Sequence, residues 1–442
     1  MYNYPDQDLF YVDGINKQFI IMVESDDESE DPLTLTNENF NEESFEFVDA
    51  LTDSESLSFA NCTSASVKFE IYNSEEFSET LLEKLIIIYE VIDGDVENPI
   101  PIGSFTVQSD NLSLDGITRE IIAYDFMYDI LNTDVTEWYN ELEFPISIKD
   151  LRDSLFEEFG IEQDNESLIN DDIEVPKQLS DGDYILGSDI IKAICDINGT
   201  FCHMGKDGIA NWITLDTGDI FAVPLYPGFY PSENTFPGGD SYEGEVQDIY
   251  KTYYREDSVI WANYETYDID GIQLRNEFNE IAYQTSDAAM NPYTVISNFL
   301  LYGLSYGQYE TIATRLLDRI KDIRYVPFEM TKMSDPCMEV GDRVIVHTQE
   351  NVIFVSYIML KRHTGILEQF ESIETKGTYY LSQYDVGGYQ AAIERKLKNL
   401  DQRVGNVEKS GSGPLQIQSV PELPTNPQLN VLYLIQGEVQ VT

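Results

Sequence analysis

The chain has 442 residues, 42% of them hydrophobic and 12% aromatic, with 81 acidic against 26 basic side chains and a formal net charge of −55. That length is a prior of roughly three domains, and that apolar content excludes a disordered chain. The charge argues against proteins that grip nucleic acid through its phosphates or bind anionic lipid, but not against one that nucleic acid slides past without sticking.

Residues 1–140 read as strands. Gln18 to Val23 is an apolar run, followed by an acidic loop as far as Pro32. Phe45 and Phe47 share one face of Glu43 to Val48, Ala65 to Tyr72 alternates in part, and Leu85 to Ile92 is an apolar run of strand length. Asp93-Gly94-Asp95 turns that run back toward Ile102 to Val107, and a second turn over Asn111 to Gly116 leads into Glu120 to Tyr124. Runs of this kind, punctuated by Asp, Asn and Gly, predict a first antiparallel β-barrel domain.

Residues 141–215 change period and predict an α+β insertion. Ser147 is placed to cap a helix whose apolar face includes Leu155, Phe156 and Phe159, with Gly160 as its stop. A second helix runs from Asp189 to Asn198, capped by Ser188 or Asp189 and stopped by Asn198-Gly199. Thr200 to Met204 and Asn211 to Leu215 then read as strands joined by Lys206-Asp207-Gly208.

Residues 216–250 are rich in Pro and Gly, and Tyr226, Phe229, Tyr230 and Phe236 among them either pack within the loop or form a contact surface. Together with residues 324–377 they are assigned to a second barrel, interrupted by an insertion over 251–323. That insertion alternates like strands around Asp270-Gly271 and ends in a helix from Ser305 to Ile323, with Ile312, Leu316, Ile320 and Ile323 on one face. In 324–377, turns are predicted at Ser334-Asp335-Pro336 and Val340-Gly341-Asp342, followed by a strand from Arg343 to His347. Gln349-Glu350-Asn351 turns the chain into Val352 to Leu360, and His363-Thr364-Gly365 turns it into Leu367 to Ile373.

The turn and strand Asp335, Pro336, Gly341, Asp342, Val344 and the strand end Ile373, Thr375, Gly377 resemble the second barrel of phage baseplate-hub and tail-tip proteins. Gly103, Phe105 and Val107, then Ile122, Tyr124, Asp125 and Met127, resemble the first barrel of that family, with an approximate fit around Ala123. The helix, Asn-Gly, strand, Asp-Gly, strand order of the insertion is similar as well. The likeness spans about residues 15 to 377; no single motif is diagnostic, and the ordered set carries it.

Residues 378–409 contain a heptad seam: Ile393, Leu400 and Val407 at d, Leu397 and Val404 at a. It is too short to stand as an isolated coiled coil and makes sense where something upstream already gathers several chains; the alternative is one amphipathic helix packed on its own domain. Residues 410–442 read as a Ser-Gly linker and a small β module similar to those on phage fibres.

Catalytic and metal motifs are scarce. Four cysteines, Cys62, Cys195, Cys202 and Cys337, imply no disulfide framework, and Cys195, Cys202 and His203 lack a fourth zinc ligand and the usual spacing, so they read as a buried pair and a core histidine. Asp268, Asp270, Gly271 and Glu277 match part of a calcium loop, but Thr266 holds its first position and the strand-like surroundings favour an Asp-Gly hairpin turn. With three histidines in the chain, few bases exist for a nucleophilic apparatus. No catalytic residue, metal or cofactor is expected, nor a secretory signal after Met1, nor a stable membrane insertion.

The resemblance implies a homotrimer in the virion, assembled in the host cytoplasm, in which paired barrels adapt a sixfold tail tube to a threefold tip. It implies distal-tail or tail-tube proteins and a tape-measure protein as neighbours, receptor-binding or fibre proteins as further partners in host attachment, and DNA passing through at ejection without specific binding. Relatives that carry a lytic domain have it after the hub, where this chain has the coil and the β piece. A secreted acidic glycoside hydrolase and a cell-surface adhesin are the alternative classes.

Overall fold

The computed structural model describes residues 16–24, 32–41, 43–73, 79–164, 166–177, 184–217, 250–251, 259–347, 352–365, 370–381, 416–420 and 431–435. Strands β1 (Lys17–Val23), β2 (Leu33–Thr36), β3 (Glu46–Ala50), β4 (Ser66–Tyr72), β5 (Leu85–Ile92), β6 (Ile100–Leu112) and β7 (Thr118–Tyr124) come first. Helices α1 (Met127–Asn132) and α2 (Thr136–Glu141), strand β8 (Ile146–Ser147), helix α3 (Ile148–Glu158), strand β9 (Glu174–Val175), helix α4 (Gly187–Asn198) and the hairpin of β10 (Phe201–Met204) and β11 (Ala210–Ile213) follow. The second half has β12 (Tyr250–Lys251), β13 (Val259–Trp261), β14 (Gly271–Arg275), β15 (Ile281–Gln284), β16 (Pro292–Val295) and helix α5 (Tyr306–Ile320). It continues with β17 (Phe328–Met333), β18 (Arg343–His347), β19 (Ile353–Tyr357), β20 (Leu360–Thr364) and β21 (Phe370–Thr375), and a parallel pair, β22 (Gln416–Val420) with β23 (Val431–Ile435), lies beyond.

The chain is mainly β. The sequence reading expects two barrels; the structure joins both regions in one eleven-stranded sheet, ordered β13-β17-β21-β20-β3-β4-β7-β6-β5-β1-β2, and no closed barrel is found among the described residues. The junction is the antiparallel pairing of β3 with β20, in register from Leu360 opposite Ala50 to Thr364 opposite Glu46. The sheet curls enough that Phe19 of β1 stacks on Phe45, just before β3, with ring centroids 4.4 Å apart, and meets His363 of β20 edge-on at 5.5 Å.

Local chemistry explains most boundaries. Asp93 and Gly94 both adopt positive φ, 51° and 76°, which gives the tight turn after β5. Ser147 caps α3 by accepting the Asp150 N–H at 3.0 Å, and Gly199 ends α4 in the left-handed conformation at φ 62°. Ser305 opens α5, its N–H donating to Gln308 at 3.0 Å, and Ile312, Leu316 and Ile320 are buried along one stripe.

Three expectations shift. The run Val352 to Leu360 is broken at Ile358-Met359, where the chain changes sheets: β19 pairs with β18, whereas β20 pairs with β21 and β3. Gly341 N–H donates to Ile358 O at 2.7 Å and Leu51 N–H to Met359 O at 2.9 Å, so the break is held from both sides. The predicted turn at His363 begins only at Gly365 (φ 81°); His363 itself is a buried strand residue. Asp270-Gly271 is not the hairpin turn but the start of β14. The turn to β15 falls at 276–280, where Asn279 takes φ 60°, and Gly271 is required because a Cβ there would lie 2.7 Å from that of Ala289.

Two apolar cores result. One fills the concave side of the N-terminal strands, with Phe19, Phe45, Phe69, Ile86 and Phe105 among its members. The other unites α1–α5, β14, β16 and the C-terminal strands, and takes in Leu51, Leu57 and Phe59.

Candidate functional site

Where the two halves join, the inward positions of the strands stop being apolar. On β3, Phe47 and Asp49 point inward; on β17, Phe328, Met330 and Lys332; on β20, Lys361 and His363; on β21, Glu371, Ile373 and Thr375. Period-two alternation therefore carries charged groups into the interior.

A cavity of about 420 Å³ lies between the N-terminal strands, the β10–β11 hairpin and residues 339–342, with Asp49, Asp125, His203, Lys206, Glu339 and Asp342 in its lining. His203 Nε2 meets Asp49 Oδ1 at 2.7 Å. Burial alone would push His203 down, but the carboxylates of Asp49 and Asp125 outweigh it and hold its pKa at about 9. Burial pushes Asp125 up to about 7, although it accepts N–H groups from Ala65 at 2.8 Å and Met127 at 3.1 Å. Burial likewise lifts Asp342 to about 6.

Beside the cavity lies a second cluster. Glu371 binds Lys332 at 3.2 Å and Lys361 at 3.1 Å, all three side chains nearly inaccessible. Burial would raise Glu371, but the two ammonium groups bring it down to about 2. His363 Nε2 donates to Gly365 O at 3.1 Å, which leaves Nδ1 to accept from Ser334 Oγ at 2.8 Å, and burial lowers this imidazole to about 4. Lysines from separate places in the chain reach the segment after β17. Lys17 donates to Ser334 O at 3.0 Å, Lys361 to Asp335 O at 2.9 Å and Met338 O at 2.6 Å, and Lys206 to Pro336 O.

Neither His203 nor the cysteines form a nucleophile and base, and the Ser334–His363 pair, in bonding distance, is buried. His203 is an imidazolium at neutral pH and cannot take a proton there, and burial raises the thiols of Cys195, Cys202 and Cys337, the last to about 12. Cys195, Cys202 and His203 do not converge on a ligand: Cys62 Sγ donates to Cys202 O at 3.2 Å while His203 turns to Asp49. Among the described residues no group of three or more His, Cys, Asp or Glu side chains is placed to hold a metal. Of the partial calcium loop, Asp268 pairs with Arg324, Asp270 accepts the N–H groups of Met290 at 2.7 Å and Asn291 at 2.8 Å, and Glu277 is exposed in the β14–β15 turn. The seam residues Ile393, Leu397, Leu400, Val404 and Val407 lie outside the described residues.

The sequence reading did not single out the charged joint. A signal existed for two of its members: Lys332 shares the parity of Met330 on β17 and Glu371 that of Ile373 on β21, in a chain with only 26 basic residues.

No family model matches the chain, and no curated protein sequence matches it. Among solved structures it is similar to the 43 kDa tail protein of prophage MuSo2 from Shewanella oneidensis, at 8% identity and a TM-score of 0.47, over 81% of this chain and 97% of that one. It is similar to a tail protein from Neisseria meningitidis at 13% identity and a TM-score of 0.43, over 82% and 98% of the two chains. Prophage tail protein gp18 from Listeria monocytogenes is a third, at 10% identity and 0.44, over 86% and 99%.

Proposed function

We propose that this chain is a structural protein of a phage tail, a hub at the tail tip that works as a homotrimer and has no catalytic role. The observation that carries the reading is the β3–β20 pairing, which fixes β1–β7 and the later strands β13, β17, β20 and β21 in one sheet. A chain built this way offers two sheet-built regions in a set relation, and three copies present six near-equivalent faces to a sixfold tube. The ordered motifs around Gly103 to Met127 and Asp335 to Gly377 support the same reading. The tube, tape-measure and fibre proteins are its partners, and DNA passes its axis at ejection. With a net charge of −55, a carboxylate-lined passage repels phosphates and limits sticking.

The test is the mass of the full chain in solution, alone and with Leu400→Asp. A trimer that weakens or dissociates in the variant is the expected result. A monomer at every concentration overturns the hub assignment, and a trimer indifferent to Leu400→Asp removes the seam Ile393, Leu397, Leu400, Val404 and Val407 from it.

A further inference from the structure

Strands β14, β15 and β16 form a sheet of their own, and its two faces differ. Ile272 and Leu274 of β14 and Tyr293 and Val295 of β16 are buried and belong to the core that includes Ile312 and Leu316 of α5. The positions that alternate with them are polar. Thr294, Gln273 and Gln284 stand in one row across the three strands, and Arg275 follows Gln273 along β14. On this outer face lies a recess of about 170 Å³, lined by those side chains and by Ser286 and Asp287 from the loop after β15.

The lining is already held in place by its own bonds. Arg275 donates to Gln273 Oε1 through Nε at 3.2 Å and Nη2 at 2.9 Å, and to Asn279 O through Nη1 at 3.0 Å. A guanidinium only donates, so Gln273 must give it the amide oxygen, and the Nε2 hydrogens of Gln273 are left over. Gln284 is held the other way round: its Nε2 donates to Asp287 Oδ1, and its oxygen is left over. Arg275 meets no carboxylate among the described residues, although the chain has 81 acidic side chains, and its guanidinium keeps N–H groups beyond those it has spent. Unspent donors and acceptors therefore sit side by side on one small surface, and ordering them on binding costs little further entropy.

The surroundings narrow the ligand. The lining is mostly polar, so an apolar side chain gains little there. Arg275 is offset by Asp287, and the chain carries −55, so a free anion is repelled by more charge than attracts it. A neutral ring bearing several hydroxyls, each both donor and acceptor, meets neither objection. Exposed apolar side chains flank the polar row in the chain: Ile281 opposite Arg275, Phe278 in the turn beyond it and Met290 next to Ala289. They match the C–H faces of a sugar. Asp287 is the one carboxylate in the lining, and glycoside hydrolysis uses a pair, so the arrangement fits holding a sugar and not cleaving it.

We infer that the recess on the outer face of β14, β15 and β16 is a saccharide-binding site that takes one neutral sugar ring. The Gln273 amide and Arg275 donate to its hydroxyls, and Gln284, Thr294 and Asp287 accept from them. The site stands apart from the charged joint and does not rest on the tail-hub reading.

Saturation-transfer NMR on the full chain tests it, with D-glucose, D-galactose, N-acetyl-D-glucosamine and L-rhamnose as probes. The expected result is transfer to the ring protons of at least one of them. Gln273→Ala and Gln284→Ala each remove hydrogen bonds to the sugar, and each should weaken that binding by up to about tenfold. An unchanged urea midpoint shows that the variant is folded. Should Gln273→Ala lower the midpoint by releasing Arg275, Gln284→Ala decides alone. No transfer to any of these sugars overturns the site, and so does transfer that persists at natural strength in the folded variants, since the sugar then binds elsewhere.

Discussion

The interior of the N-terminal strands and the interior of the joint are built on the same sheet by opposite means. Behind β4–β7 the inward positions Val67, Phe69, Ile71, Ile86, Ile88, Phe105, Val107 and Ile121 are apolar, and the buried charges on those strands, Glu90 on β5 and Arg119 on β7, fall toward the strand ends. A few strands away, the same inward parity carries Asp49, Lys332, Lys361, His363 and Glu371. Apolar burial is non-directional and tolerates small rearrangements, so it stabilises a region without saying what must lie beside it. Buried ions have the opposite character: they stabilise little in net terms but punish any arrangement that leaves one partner alone. The pairing of β3 with β20 brings together segments about 310 positions apart in the chain. Placing the charges there, with Lys17 from β1 reaching Ser334, makes the two halves mutually dependent.

The largest expected effect breaks this contrast at its centre. Glu371→Gln leaves the ammonium groups of Lys332 and Lys361 without their shared carboxylate, and removing one partner of such a buried set costs about 3–5 kcal/mol. Urea unfolding measures it. A loss below about 1 kcal/mol would mean that the cluster is solvated and that the joint resembles a surface ion pair.

The next effect is smaller and depends on pH. His203 is held at about 9 in the folded chain against 6.5 when unfolded, so its pairing with Asp49 contributes fully below about 6.5 and is lost as pH rises through 9. The folded state binds the extra proton in that window, hence stability falls with rising pH, by up to about 3 kcal/mol. Asp49→Asn removes the partner, and its urea midpoint should be lower at pH 6 and nearly level with the natural chain at pH 10. Parallel curves for the two proteins would show that the imidazolium is stabilised by something else.

How much of this was legible beforehand follows from the range of each interaction. The caps at Ser147 and Gly199, the turn at Asp93-Gly94 and the stripe Ile312, Leu316, Ile320 depend on residues within a turn or two, and the chain announces them. The merger of two expected barrels depends on Leu360 to Thr364 finding Glu46 to Ala50, and no local pattern records that choice. The sheet switch at Ile358-Met359 sits inside an apolar run with no Gly or Pro, so periodicity read through it. His363 beside Thr364-Gly365 looked like a turn because the left-handed residue is Gly365 alone. The cavity groups Asp49, Asp125 and His203 come from three parts of the chain; Asp125 stood out only as a motif position and His203 only beside the cysteines, and among 81 acidic residues nothing singled out Asp49. Parity pointed at Lys332 and Glu371, but not at Lys361, which has the parity opposite to Leu360 on β20.

The smallest effect sharpens the comparison from the apolar side. Ile86 is fully buried, opposite Val23 on β1 and Phe105 on β6. Ile86→Val deletes one methylene and should cost about 1 kcal/mol. Its distinguishing feature is flatness: the substitution exchanges one apolar side chain for another, so the difference from the natural chain should be the same at pH 5, 7 and 9, while Glu371→Gln and Asp49→Asn act on groups that titrate. Should the cost of Ile86→Val itself vary with pH by as much as it amounts to at neutrality, the two interiors are energetically coupled and the apolar core is not the passive half. The curl that stacks Phe19 on Phe45 and sets both rings against His363, and the edge contact of Phe47 with Phe105 beside the cavity, are aromatic contacts through which such coupling could pass.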